Sequence, residues 1–131
     1  MNVEQAIHER WCGWRPLVDL VPAERLYSGA AQGAGWPYVT LHRLDGAQIA
    51  RTSSGTLVAR VPLEFRVWDQ QLARAQAVAA AIVARFNRAE FAYAAGRVLD
   101  CLPTGQSQSQ AGDGTWRVGV GFIVRVEQTA S

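Results

Sequence analysis

The side chains best able to do chemistry in this chain of 131 residues are two histidines, two cysteines and a scatter of serines and carboxylates, and their spacing decides which reactions are open. His8 and Cys12 stand four apart in a segment of helical periodicity and would share a face, which is half of a zinc site. The other half is missing. His42 and Cys101 lie on other elements and no C-x-x-C pair exists, so no metal site is expected and both cysteines read as small core residues. A serine nucleophile needs a sharp elbow and an oriented base, yet there is no G-x-S-x-G, and loop separates Ser53 and Ser54 from His42. With only two histidines, acid–base catalysis has little to work with, and His42 reads as a structural or surface residue. Gly29, Gly33 and Gly35 resemble a phosphate loop only superficially: no Lys-Ser/Thr pair follows, and the segment leads into a strand rather than a helix N-terminus. The carboxylates Glu64, Asp69 and Glu90 lack the pairing of a glycosidase and read as solvated or ion-paired. No catalytic residue, cofactor or metal is expected, and the function of the chain is sought in the surfaces it offers to other subunits.

Composition agrees with that direction. Hydrophobic residues make up 49% and charged residues 18%, a globular balance, and one domain spanning residues 1–131 is expected. The formal charge is +2 with no basic run, so nucleic acid is not signalled as a specific ligand. The most apolar run, Ala75 to Ala84, falls far short of the ~20 residues of a membrane span. No N-terminal stretch has the make-up of a secretion signal, which points to synthesis in the cytoplasm. All 13 basic residues are arginine, which reflects either codon usage or the fitness of guanidinium forks for subunit interfaces.

Periodicity then places the elements. Val3, Ile7, Trp11 and Trp14 form one stripe of a helix from about Val3 to Trp14, with Asn2 as its cap and Gln5 as the reciprocal partner. Gly13, Pro16 and Pro22 break the chain into turns that lead to a short extended segment at Arg25–Tyr27. Ser28 to Gly35 is loose and glycine-rich, and Trp36 to His42 reads as a strand. Leu57 to Val67 alternates apolar and polar residues more cleanly than any other stretch, and Trp116 to Val126 repeats the pattern. Asp69 is expected to cap a second helix running to about Asn87, and Arg97 to Leu102 to be a short strand. The expected fold is α+β: a mainly antiparallel four- to five-stranded sheet packed against two helices, in the order α-β-β-β-α-β-β. Two long polar loops, Leu44 to Thr56 and Pro103 to Thr115, complete it. Trp36, Tyr38, Trp68 and Trp116 fall at strand ends, either as caps on the core or as exposed interface anchors.

Several phrases together carry a resemblance. The segment Arg25–Val39 with its Trp-Pro-Tyr-Val, the strand Val61–Asp69 with its Phe-Arg-Val-Trp, the alanine-rich helix after it and the closing Asp113–Val126 resemble the tail completion proteins of tailed bacteriophages. The resemblance runs from about Leu20 to Glu127 and carries no catalytic motif. It implies a virion protein, made in the host cytoplasm, that forms a homo-oligomeric ring, commonly a hexamer, at the neck. Its implied partners are further copies of itself, the tail tube protein and the head–tail connector protein, with DNA passing through the lumen without specific binding. On this basis Arg60, Glu64, Arg66, Trp68, Trp36 and Tyr38 are candidate subunit-interface residues, a solvated strand face being the other reading of the charged ones. Asp45, Arg51 and Ser54 in the first polar loop, and Gln106, Gln108 and Asp113 in the second, are candidate contacts above and below the ring or in its lumen, where neutral or acidic residues are expected. A tail terminator and a head-side adaptor both fit. The alternative is a small monomeric enzyme or ligand-binding domain with no recognisable motif.

Overall fold

The computed structural model describes residues 2–29 and 35–129. The glycine-rich stretch expected from Ser28 to Gly35 therefore lies mostly outside the described residues, Gly33 included. Helix α1 (Val3–Cys12) is capped as expected, with the Gln5 N–H donating to Asn2 Oδ1 at 3.0 Å. It stops two residues early, because Trp14 takes extended backbone and becomes the N-cap of a second helix, α2 (Arg15–Leu20). Pro16 sits in the first turn of α2, where its missing N–H costs nothing, so the proline read as a breaker is a helix starter. A 3₁₀ turn (Ala23–Arg25) leads into β1 (Leu26–Ser28).

The sheet departs from the expectation. Among the described residues it has seven strands: β1, β2 (Tyr38–Arg43), β3 (Gln48–Arg51), β4 (Thr56–Asp69), β5 (Phe91–Tyr93), β6 (Gly96–Gln110) and β7 (Trp116–Thr129). Their order is β1-β2-β4-β7-β6-β5, with β3 also on β4, and β1 runs parallel to β2, so the sheet is mixed. A four- to five-stranded, mainly antiparallel sheet with two helices is thus incorrect; among the described residues there are three α-helices and two more strands. The two polar loops account for much of the difference. β3 pairs Gln48–Arg51 with Leu57–Arg60 of β4, closing a hairpin through Thr52–Gly55, and Gly55 takes the positive φ (87°) this turn needs. β6 pairs with β7 as far as Gln110↔Trp116, leaving only a short turn at its tip. Gln and Ser have weak strand preference, and here the long partner β7 imposes the conformation.

β4 and β7 pair over their whole length, from Thr56↔Thr129 to Asp69↔Trp116, and form the centre of the sheet. Their inward residues meet α1 and the third helix, α3 (Leu72–Phe86), on one face. Phe65 is fully buried there, its ring centroid 5.2 Å from Phe86, 5.9 Å from Phe122 and 6.1 Å from Trp11. Trp11 also donates its Nε1–H to the Val21 carbonyl at 2.9 Å, tying α1 to the end of α2.

Asp69 does not cap α3; Gln71 holds that position and Asp69 ends β4. Its carboxylate is buried, ion-paired with Arg74, with Arg74 Nη2 at 2.7 Å and the Gln71 N–H donating at 3.2 Å. Burial alone would raise this carboxyl, but the Arg74 guanidinium and the backbone donors outweigh it and hold it below the usual aspartate value. A depressed folded value means that the pairing stabilises the fold above the ordinary aspartate pKa, and that this is lost as the pH falls through the folded one. Asp69→Asn is expected to cost about 2 kcal/mol at neutral pH, and the gap to the parent in urea unfolding to close as the pH falls below the ordinary aspartate value and through the lowered folded one.

The cysteines part company. Cys101 is buried in the core, whereas Cys12 is exposed at the end of α1, against the expectation that both are core residues. Burial pushes the Cys101 thiol up to about 12. Iodoacetamide at pH 8 is expected to label Cys12 in the folded protein and Cys101 only after denaturation, which peptide mapping would read.

Candidate functional site

With the helices on one face, the opposite face of the sheet is covered by no described helix. The period-two pattern of β4 places Arg60, Pro62, Glu64, Arg66 and Trp68 there. Register brings the neighbours: Tyr38 lies opposite Trp68, Thr40 opposite Arg66 and His42 opposite Glu64. At one end an aromatic strip forms, with ring centroids 5.3 Å apart for Trp36 and Tyr38, 6.2 Å for Tyr38 and Trp68, and an edge contact of 6.3 Å from Tyr27 to Tyr38. All four rings are half-buried, so each keeps an exposed side.

Below the strip, polar groups are tied together. Trp68 Nε1 donates to the Thr40 hydroxyl at 2.9 Å, and the same hydroxyl lies 2.8 Å from His42 Nε2. Burial, then the positive charges of Arg66 and Arg117, lower the His42 pKa, which favours the neutral ring that can accept the Thr40 proton. Arg66 is ion-paired with Glu64 on the same strand, Arg125 lies 3.6 Å from Asp100, and Arg117 donates to Ser109 at 3.2 Å. Gly119 and Gly121 of β7 let these side chains lie flat. A Cβ at Gly119 would stand 2.7 Å from Ser107 Oγ and 3.2 Å from Glu64 Oε2, and one at Gly121 would clash with Thr104.

On the helix-bearing face a second concavity of about 490 Å³ opens between α3 and the outer half of β6. Ala79, Ala80, Val83 and Val118 form its floor and Gln76, Gln106 and Gln108 its rim, with Gln76 donating to Gln108 at 3.1 Å. The residues singled out from sequence are distributed accordingly. Glu64, Arg66, Trp68, Trp36 and Tyr38 gather on the uncovered sheet face, and Arg60 lies at its far end, opposite Arg125 and Gln48. Asp45 is exposed in the turn before β3, Arg51 ends β3, and Ser54 meets the Thr52 and Thr56 hydroxyls in the hairpin turn. Gln106 and Gln108 are strand residues facing α3, and Asp113 accepts the Thr115 N–H at 3.0 Å at the hairpin tip. Thr40, Thr104, Ser107 and the Gly119-x-Gly121 pair were missed; two glycines alternating within a strand were the available signal.

Chemically the surface suits contact better than catalysis. Among the described residues no three His, Cys, Asp or Glu side chains are grouped to hold a metal. His8, half of the metal pair considered above, instead lies 3.0 Å from the Leu26 carbonyl through Nε2 and ties α1 to β1. No described helix is long and apolar enough to cross a membrane.

Residues 6–127 match the family model described as tail completion protein gp17. Among solved structures the chain is similar to one described as the virion of a native gene transfer agent particle. That likeness has 20% identity and a TM-score of 0.67 over 94% of this chain and 93% of the other, and it is a likeness of fold. No curated protein matches the chain.

Proposed function

The chain belongs to the tail completion protein family, whose members are structural proteins of the phage virion and not enzymes, and from that premise we propose that it builds a closed neck ring. In this reading copies of the single domain, six on the family resemblance, sit on the end of the tail tube, stop its growth and offer a docking face to the head connector. DNA passes through the lumen.

The observation that carries the reading is the uncovered sheet face. A domain of this size uses its apolar helix stripes and the inward residues of β4 and β7 for its core, yet leaves a broad aromatic and arginine-bearing surface that no described helix or strand covers. Half-buried aromatic rings rimmed by polar groups are the composition of protein interfaces. The surface also carries little net charge where it is paired, since Glu64 answers Arg66 and Asp100 answers Arg125. A wall of this kind would let DNA slide rather than bind it. Asp45 in the turn before β3, Arg51 and Ser54 on the hairpin that follows it and Asp113 on the other hairpin are proposed contacts to the tube and the connector, and Arg60, which has the most exposed position on its strand, a contact to a neighbouring copy.

The terminating role has a direct test. Tail tubes elongating from purified tube protein are expected to stop when the chain is added, and to carry it at one end in electron micrographs. Tubes that keep growing with the chain present would overturn that role.

A further inference from the structure

We propose that neighbouring copies join edge to edge, with β3 of one copy added as an antiparallel strand to the free outer edge of β6 in the next. This rests on the ring reading and says which strands close it. The two margins of the sheet are unequal. On one side β5 covers Gly96–Val98 of β6 and the Arg88 N–H donates to the Cys101 carbonyl at 2.8 Å, so among the described residues the strand has no neighbour on its outer side from Pro103 to Gln110. From Pro103 onward every residue of it is exposed, and after that proline it carries no charge and no further proline. Natural edge strands are usually blunted by such residues, by shortness or by cover, and an unguarded edge is a template for another strand. On the other margin stands β3, four exposed residues with Ile49 67% exposed.

Three features make these margins fit. First, β3 is antiparallel to β4, β4 to β7 and β7 to β6, so a second copy displaced sideways in the sheet sets its β3 antiparallel to β6, the pairing that needs no change of face. Second, Ile49 lies opposite the inward-facing Ala59 and so points to the helix side, as Gln106 and Gln108 do. Added to β6, it would be delivered over the cleft lined by Ala80 and Val83. Third, the offset suits closure. Ala59 pairs with Val126 and Gln106 with Val120, so setting β3 against Gln106 displaces the copy by six residues along β7. At about 3.4 Å per residue and four strands of about 4.8 Å, the strands tilt by about 45° from the ring axis, at the edge of the range found in closed barrels. The contact is head-to-tail, as a ring requires, whereas β6 pairing with another β6 would end at a dimer.

Cysteine cross-linking tests it, in a Cys12→Ser background that leaves only the buried Cys101. Ile49→Cys and Ala80→Cys are too far apart to meet within one chain, being on opposite margins. Combined in one chain and oxidised, they are expected to give a ladder of covalent oligomers up to the ring; the two single variants mixed should give only the mixed dimer. Ile49→Asp, at an exposed site, should keep the circular dichroism of the parent and weaken assembly at least about tenfold. Rings of intact mass that give neither ladder nor mixed dimer would overturn the edge assignment and leave the ring reading standing. Dimers from Ala80→Cys alone would show β6 pairing with itself and overturn it as well. A chain monomeric at all concentrations and on tail tubes would overturn both.

Discussion

Phe65→Ala is expected to lower the unfolding free energy by about 4 kcal/mol, read as a fall in the urea midpoint with little change in slope. Phe65 lies mid-β4, between the helices and β7, fully buried and within ring contact of Trp11, Phe86 and Phe122. These partners come from α1, α3 and β7, so the cavity could close only if three elements moved together. Little relaxation is open to them, which puts the cost towards the upper part of the range for large-to-small changes. A loss under about 1 kcal/mol would mean that the aromatic cluster is not the centre of the core.

Gly96→Ala should be nearly as costly, about 3 kcal/mol, for the opposite reason. Gly96 opens β6 after the tight turn from β5 and lies against β7, where an added Cβ would run into the backbone carbonyl of Glu127, with Gln128 Cα at 3.3 Å. Backbone cannot step aside as a flexible side-chain tip can, so β5 and the start of β6 would have to lift off β7. Gly112, where a Cβ would meet nothing within 4 Å, is the matched control: Gly112→Ala is expected to change stability by less than about 0.5 kcal/mol. Equal effects at both positions would contradict the close approach of the two strands.

The same two kinds of residue explain what could be read in advance. The centre of the sheet was legible because Leu57 to Val67 and Trp116 to Val126 alternate strictly, and only a half-buried strand rewards that pattern. The same alternation puts Arg60, Glu64 and Arg66 on the outward side of β4, and the structure adds Trp68 to that face. The Asn2 cap was legible for a local reason, an Asx side chain within reach of the N–H three residues on. What stayed hidden was set by distant partners. Thr104 to Gln110 has no apolar contrast to mark a strand and becomes one only because β7 continues beside it. β3 is four exposed residues held by β4, and β1 owes its parallel pairing to a chain return that no local signal announces. Asp69 looked like a cap because aspartate before a helix usually is one; its Arg74 pair, five residues on, draws it into the core instead. The aromatic strip was half legible: Trp36, Tyr38 and Trp68 were suspected as anchors, but the β2–β4 register was needed to stack them.

The reading of the chain as a ring subunit is tested most directly by its mass under native conditions, alone and after mixing with tail tubes. A discrete oligomer of about six times the 14.3 kDa chain, in solution or on tube ends, is the predicted result. A strict monomer that joins neither its own copies nor the tubes would contradict it.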